Sequence, residues 1–133
     1  MERGKRKILI VDDDSFLLDM YALKFNQNNF EVCAALNGVQ AVEKIKEGFN
    51  PDIMLVDIIM PEMDGFEMLE KINTDKLSPS SVKIILSNKG EQGDIERGTR
   101  LGVAGYIIKA NSTPVEVINR VISILDKKVV VPK

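Results

Sequence analysis

Short apolar runs alternate with longer segments of helical periodicity along most of the chain. The short runs are rich in Val and Ile, which is typical of strands, and the alternation repeats about five times. Ile53–Val56 is apolar throughout, as a strand covered by helices on both faces requires. The pattern therefore predicts an α/β fold in which a parallel sheet is flanked by helices.

The element boundaries follow from the same pattern. The predicted strands are Lys7–Val11, Phe30–Ala35, Ile53–Val56, Val82–Leu86 and Val103–Ile108. The predicted helices are Ser15–Asn28, Val39–Glu47, Phe66–Asp75, Glu91–Leu101 and Val115–Asp126. We expect a flavodoxin-like doubly wound sheet with five strands in the order 2-1-3-4-5 and five helices.

Two helices differ in the strength of their local signals. The start of the last helix is marked by Thr113, Pro114 and Glu116, which together form a capping-box pattern with proline in the first turn. The fourth contains Gly93 and Gly98, and each glycine costs about 1 kcal/mol relative to alanine in a helix interior. We expect the fourth helix to be mobile.

Length and composition indicate one folded domain. The chain has 133 residues, of which 44% are hydrophobic, enough for one core without disulfides or a structural metal. We expect a basic N-terminal segment at 1–6, the domain at 7–126 and a C-terminal tail at 127–133. A frayed tail is favoured over a tail that docks on a partner.

Charge and residue usage exclude several functions. The net charge is −2 with scattered basic residues, so we expect no direct nucleic-acid binding. The chain lacks histidine, which removes the commonest general base and the usual zinc ligand. The single cysteine, Cys33, lies in an apolar stretch, and its interpretation as a small hydrophobic residue favours a reducing, cytoplasmic location. No segment has the pattern of a signal peptide or membrane span, so we expect no membrane insertion.

Four apolar runs end in polar residues of related chemistry. Asp12 and Asp13 follow the first strand, Asp57 the third, Ser87 the fourth and Lys109 the fifth. The carboxyl ends of parallel strands lie at one edge of the sheet, where ligands bind at the point of strand-order reversal. A polar residue often follows a strand because the chain turns at the surface, but these types together match metal-assisted phosphoryl transfer.

The chemistry of such a cluster is predictable. Adjacent carboxylates repel one another unless a cation lies between them, and Mg²⁺ is bound by one or two carboxylates together with phosphate oxygens. A carboxylate can itself attack phosphorus, with a lysine ammonium and a hydroxyl stabilising the transferring oxygens. Asp57, at the centre of the group, is the best-placed nucleophile.

With these motifs, the chain from Lys7 to about Leu125 resembles the receiver domains of bacterial two-component response regulators. The resemblance implies that Asp57 accepts a phosphoryl group and that Mg²⁺ or Mn²⁺ is the cofactor. It also implies that Asp13 binds the metal directly, that Asp12 acts mainly through water and that the backbone carbonyl of Ile59 completes the protein ligands.

The resemblance assigns further roles. Ser87 matches the conserved hydroxyl position and Lys109 the lysine that pairs with the phosphoryl oxygens. Tyr106 matches an aromatic switch that turns inward when the hydroxyl residue moves, which changes the surface formed by the fourth helix, fifth strand and fifth helix. Pro61 and Gly65 match the family's loop after the phosphoacceptor.

Two positions depart from the family pattern. Ala110 stands where proline usually follows the lysine after a cis bond, and a cis bond without proline costs about 3 kcal/mol, so a trans bond is predicted that loosens the placement of Lys109. Asn88 replaces the usual alanine or glycine beside the phosphate, and we expect it to narrow access to Asp57.

Two further positions bear on the lifetime of the phosphorylated state. Ile59 and Lys89 lie where receiver side chains commonly orient the water that attacks the aspartyl-phosphate, and neither offers a carboxylate or amide. We predict slow autodephosphorylation and no activity on other substrates.

Several alternatives remain at this point. A haloacid dehalogenase-type phosphatase requires an aspartate where Ile59 stands, and a flavodoxin-like nucleotide binder requires a Gly-rich loop after the first strand. A degenerate receiver that acts only as a protein docking module stays open, although no acidic or lysine position is lost. The implied phosphodonor is a sensor histidine kinase or histidine phosphotransfer protein. With no effector domain expected, the output is a protein contact, a phosphorelay step or phosphate buffering.

Overall fold

The computed structural model describes residues 5–129, which form an α/β domain around one parallel sheet. Its five strands are in the order β2-β1-β3-β4-β5, which confirms the predicted topology. The strands are β1 Arg6–Val11, β2 Phe30–Ala35, β3 Ile53–Val56, β4 Val82–Ser87 and β5 Gly105–Ile108. The helices are α1 Ser15–Gln27, α2 Gly38–Lys46, α3 Gly65–Thr74, α4 Gln92–Arg100 and α5 Pro114–Val129, with a short 3-10 helix at Lys109–Asn111.

Among the strands, the largest boundary difference is at β5, which was predicted from Val103 and begins at Gly105. Val103 N–H donates to the carbonyl of Gly98 at 3.1 Å, so this residue closes the end of α4 instead of joining the sheet. Gly102 has a φ of +87°, a left-handed conformation that glycine adopts readily at a helix end. The apolar run in the sequence thus includes a helix terminus as well as a strand.

One face of the sheet packs against α1 and α5. Ile10 and Leu55 belong to this core with Phe25 of α1 and Val121 of α5, and each is at most 2% exposed. Phe25 also meets Phe30 edge-on, with ring centroids 5.2 Å apart. α5 lies on this face because Val117, Val121 and Leu125 recur at helical spacing and are buried in this core.

The opposite face packs against α2 and α3, with a smaller cluster toward α4. Leu9, Met54 and Val56 join residues of α2 and α3 in the larger cluster. The smaller cluster contains Ile85 and Phe66, with Tyr106 packed against it. Every residue of β3 is buried, as predicted for a strand covered on both faces.

Local caps fix where the helices start. Thr113 N–H donates to Glu116 Oε1 at 2.8 Å and Glu116 N–H donates to Thr113 Oγ1 at 3.2 Å, which confirms the capping box predicted for α5. Asp64 and Glu67 make the same reciprocal pair at the start of α3. These bonds satisfy backbone N–H groups that the first helical turn leaves without partners.

The two terminal segments fall partly outside the described residues. β1 begins at Arg6, and residues 1–4 of the predicted basic segment are not described. α5 continues to Val129, into the predicted tail, and residues 130–133 are not described. Within residues 5–129, no helix is both long and apolar enough to span a membrane.

Candidate functional site

A pocket lies at the carboxyl edge of the sheet, above β1, β3 and β4. Its lining comprises residues from four strand ends and the start of α1: Asp12, Asp13, Asp14, Leu17, Asp57, Ile59, Ser87, Asn88 and Lys109. Apart from Tyr106, all the predicted site residues are therefore brought together.

Strand register places the carboxylates side by side. Val11 pairs with Val56, and Asp57 N–H donates to the carbonyl of Val11 at 2.9 Å, so Asp12 and Asp57 emerge from adjacent strands at the same level. Asp12 and Asp57 are buried, at 2% and 6% exposure, whereas Asp13 is exposed. Carboxylate oxygens of all three lie within 4.8 Å of one another.

Lys109 connects the two buried carboxylates. Its ammonium lies 2.7 Å from Asp12 Oδ2 and 3.0 Å from Asp57 Oδ2. Burial alone would lower the pKa of Lys109, but its hydrogen bonds to Asp12 and Asp57 outweigh burial and raise it. The lysine is therefore a fixed positive charge beside Asp57.

The acidic cluster fits a hard divalent cation. Burial raises the pKa of Asp12 above its ordinary value even though Lys109 opposes this shift, so the Lys109 ammonium does not fully offset the burial of this carboxylate. Mg²⁺ prefers oxygen ligands. The three carboxylates offer such oxygens, and Asp13 is open to solvent. Asp12, Asp13 and Asp57 are the residues that would hold it.

The hydroxyl and backbone groups around Asp57 also make hydrogen bonds. Ser87 is fully buried at the end of β4, and its Oγ accepts a hydrogen bond from Lys89 N–H at 3.2 Å. Ile59 N–H donates to Asp57 Oδ1 at 3.4 Å, and the Ile59 side chain is 60% exposed. The predicted metal-binding role of the Ile59 carbonyl stays a prediction.

Tyr106 is the predicted site residue that lies outside the pocket. It is half-buried on β5, and its hydroxyl donates to the carbonyl of Lys89. Burial first, and then the nearby carboxylates of Asp94 and Asp57, raises the pKa of Tyr106 to about 12. Lys89 thereby contacts both Ser87 and Tyr106, the two residues to which the resemblance assigns a switch.

The two positions that depart from the family pattern contact each other. Ala110 N–H donates to Asn88 Oδ1 at 2.8 Å. Within residues 5–129 no peptide bond is cis, so the Lys109–Ala110 bond is trans, as predicted. With this trans bond, the Lys109 ammonium contacts both Asp12 and Asp57. The expected loosening of Lys109 stays a prediction.

Two residues of the pocket lining, Asp14 and Leu17, were not among the site residues predicted from the sequence. Asp14 caps α1, because its Oδ1 accepts a hydrogen bond from Leu17 N–H at 3.1 Å. The signal was present, since aspartate directly before a helical run is a preferred N-cap. Leu17 lies in the first turn of α1, and its position at the pocket follows only from the direction of that helix.

A second depression lies at the opposite edge of the sheet, near Asp52 and Lys83. Lys83 is buried there, its ammonium donates to the carbonyl of Ser81 at 3.3 Å, and burial lowers its pKa. Within the described part of the chain, the only acidic cluster suited to a metal is the one at the carboxyl edge. The candidate functional site is therefore the pocket at the carboxyl edge of the sheet.

Comparison with known proteins agrees with this geometry. The response regulator receiver domain model matches residues 8–121. The chain is similar to the chemotaxis protein CheY of Listeria monocytogenes, at 41% identity over 77% of this chain and 85% of that protein. It is 38% identical to CheY of Thermotoga maritima over 89% of this chain and 98% of that protein. A CheY-like receiver domain structure from Methanospirillum hungatei superposes with a TM-score of 0.84 at 28% identity, covering 94% of this chain and 97% of that one.

Proposed function

The chain belongs to the response regulator receiver domain family, and on that premise we propose that it accepts a phosphoryl group on Asp57 in a two-component phosphorelay. The observation that carries the proposal is the Lys109 ammonium, which lies 3.0 Å from Asp57 Oδ2 in a pocket with Asp12 and Asp13. The cluster joins a carboxylate nucleophile to a fixed cation, as phosphoryl transfer requires.

The transfer needs no proton from Asp57. An ionised oxygen of Asp57 attacks the phosphorus of a phosphohistidine, the new O–P bond forms, and the N–P bond breaks with its electron pair passing to the imidazole. Lys109 donates to the phosphoryl oxygens, and Ser87 offers a hydroxyl at the same edge. Because charge is spread over those oxygens in the transition state, positioned donors supply most of the rate enhancement.

We propose Mg²⁺, with Mn²⁺ as its substitute, as the cofactor. Asp12, Asp13, Asp57 and the Ile59 carbonyl would hold it. Of the acidic pair, Asp13 would bind the metal directly and Asp12 mainly through water. When bound, the metal neutralises carboxylate and phosphoryl charge. Lys109 would then be released from Asp12 to contact the phosphoryl group.

We propose that phosphorylation changes the surface formed by α4, β5 and α5. The supporting feature is the chain of contacts from Ser87 Oγ to Lys89 N–H, and from the Lys89 carbonyl to the Tyr106 hydroxyl. Movement of Ser87 toward a phosphoryl oxygen would break the first contact and so loosen the second. The Lys89 ammonium also pairs with Asp94 of α4 at 3.3 Å, which extends the connection to that helix.

We propose that the aspartyl-phosphate is long-lived and that the protein catalyses only its own phosphotransfer and autodephosphorylation. Ile59 has no polar group to orient water, and the ammonium of Lys89 is paired with Asp94. A lifetime of only seconds in magnesium buffer at room temperature would contradict this proposal.

The donor we propose is a sensor histidine kinase or a histidine phosphotransfer protein, because this chain has no histidine of its own. The downstream partner is a protein whose identity the site does not specify. The alternative function is a docking module that is not phosphorylated.

Intact-mass analysis tests the proposal. The protein is incubated with Mg²⁺ and acetyl phosphate, and wild type is compared with Asp57→Asn and with the matched control Asp19→Asn. Asp19 is exposed on α1 and makes no side-chain hydrogen bond to another described residue. We expect one phosphoryl adduct on wild type and Asp19→Asn and none on Asp57→Asn. No adduct on wild type with acetyl phosphate or with a cognate kinase would favour the docking module.

A further inference from the structure

The contact between Asn88 and Ala110 joins two loops of the site. Asn88 follows β4, and Ala110 lies in the 3-10 helix that follows β5. The Ala110 N–H donates to Asn88 Oδ1 at 2.8 Å, a normal hydrogen-bond length. The bond is available only because residue 110 is not proline, since proline has no backbone N–H.

The bonded amide is next to the lysine of the site. Lys109 is the first residue of the three-residue 3-10 helix, whose end is marked by a hydrogen bond from Ser112 N–H to the Lys109 carbonyl at 3.2 Å. The Asn88 contact therefore fixes the backbone directly after Lys109, while β5 fixes the backbone directly before it. A misplacement of about 1 Å can slow a reaction by about 10²-fold, so the position of this backbone bears on how well Lys109 serves the reaction.

From this geometry we propose that Asn88 is a positioning residue, which holds Lys109 at Asp57 by accepting the Ala110 N–H. The inference rests on the proposed function, because it assigns Asn88 a part in phosphoryl acceptance. It differs from simple obstruction of the pocket, in which the Asn88 side chain would only hinder the donor. The two roles predict opposite changes in rate when the side chain is removed.

A double-mutant cycle tests the proposal through the phosphorylation rate with acetyl phosphate, measured by intact mass. Asn88→Ala removes the acceptor, Ala110→Pro removes the donor, and the double variant removes both. We expect Asn88→Ala to slow phosphorylation by about threefold to tenfold, the range of one neutral hydrogen bond. In the Ala110→Pro background, the same substitution should have no further effect, because the bond is already absent.

Two measurements separate positioning from general damage to the fold. Mg²⁺ affinity should be unchanged in Asn88→Ala, because the carboxylates are untouched. Hydrogen exchange at the Ala110 amide should become faster, which reports on the bond independently of the reaction. Asn111→Ala is the matched control, since it removes a carboxamide in the same 3-10 helix that makes no side-chain hydrogen bond to another described residue. It should leave the rate unchanged.

Three outcomes would overturn the positioning role of Asn88, and a fourth would reject the proposed function. Faster phosphorylation of Asn88→Ala would overturn the proposal in favour of obstruction. Equal slowing in the wild-type and Ala110→Pro backgrounds would also overturn it, because Asn88 would then act through another contact. If Ala110→Pro does not fold, hydrogen exchange at the Ala110 amide decides the question. An unchanged exchange rate in Asn88→Ala would overturn the proposal. Failure of wild type to form any adduct would instead reject the proposed function itself.

Discussion

Helices α3 and α4 have nearly the same length but are attached to the sheet in different ways. Five of the ten residues of α3 are buried: Gly65, Phe66, Met68, Leu69 and Ile72. Of the nine residues of α4, only Gly98 is buried against the described part of the chain. α4 is instead tied to α3 by charge, because Arg97 lies 3.0 Å from Glu70 and its guanidinium lies 4.4 Å from the Phe66 ring centroid.

This contrast divides the site into two halves. β1, β3 and α3 form a fixed half, in which Asp12, Asp13 and Asp57 directly follow the ends of two buried strands. The β4–α4 loop, α4 and β5 form an attached half, with Lys109 directly after β5. Apart from the packing of Tyr106 against the cluster that contains Phe66, it contacts the fixed half through hydrogen bonds and ion pairs. Exposed ion pairs contribute about 1 kcal/mol or less to the free energy of unfolding. The attached half is therefore the part of the site that a small change can shift.

The largest expected effect on the phosphorylation rate comes from removing the Lys109 ammonium, which is the strongest contact between the halves. Lys109→Met removes the ammonium that bonds Asp12 and Asp57 and keeps most of the apolar stem. We expect phosphorylation by acetyl phosphate to slow by about 10²- to 10³-fold, the usual cost of losing one positioned electrostatic group. Intact-mass kinetics measure this, with the exposed Lys76→Met as control. A loss of less than about threefold would contradict the assigned role of Lys109.

A glycine-to-alanine pair tests the rigidity of the fixed half. A Cβ on Gly65 would lie 2.2 Å from the Asp57 carbonyl oxygen and 2.9 Å from Ile58 Cα, both backbone atoms. We expect Gly65→Ala to lower the free energy of unfolding by about 3 kcal/mol, because backbone cannot move aside cheaply. Urea denaturation measures the loss.

Gly93→Ala is the matched control on α4, because a Cβ there meets no described atom within 4 Å. It should stabilise the protein by up to about 1 kcal/mol through helix propensity. Equal effects of the two substitutions would remove the distinction between the halves.

Tyr106 tests the hydrogen bond from β5 to the β4–α4 loop. Tyr106→Phe should cost about 1 kcal/mol in unfolding free energy, since it removes the bond to the Lys89 carbonyl. The raised pKa of Tyr106, about 12, also makes the stability of the protein depend on pH. The folded protein keeps the phenol proton above the ordinary pKa of 10, so this contribution to stability is present below pH 10 and is lost as pH rises toward 12. Ultraviolet titration of phenolate in wild type and Tyr106→Phe measures it, and ionisation of Tyr106 near pH 10 would contradict it.

The smallest expected effect concerns the surface attachment of α4. Arg97→Ala removes both the Glu70 pair and the stacking on Phe66, and we expect a loss of about 1 kcal/mol or less in unfolding free energy. Amide exchange should nevertheless become faster in α4 than in α3, because the change falls on the attached half. Uniform acceleration in both helices would show that α3 and α4 open together.

The sequence by itself determined the architecture and the membership of the site. Apolar periodicity reports which residues are buried, and it placed all five strands and all five helices, while the fold type that these elements indicate supplied the strand order. Because the carboxyl ends of parallel strands meet at one edge, residues that end separate runs had to converge there. The capping box of α5 could also be predicted from the sequence, since Thr113 and Glu116 are three residues apart.

Only the tertiary structure decided how the members of the site contact one another. Lys109 bonds two carboxylates more than 50 residues away, and Ala110 bonds Asn88 across 22 residues. Gly98, which the sequence marked as a weak point of α4, is where that helix packs closely, since a Cβ there would lie 3.0 Å from Ile85 Cδ1. The physical reason is that burial patterns repeat locally along the chain, whereas contacts between loops depend on side-chain rotamers and loop paths that exist only once the sheet has formed.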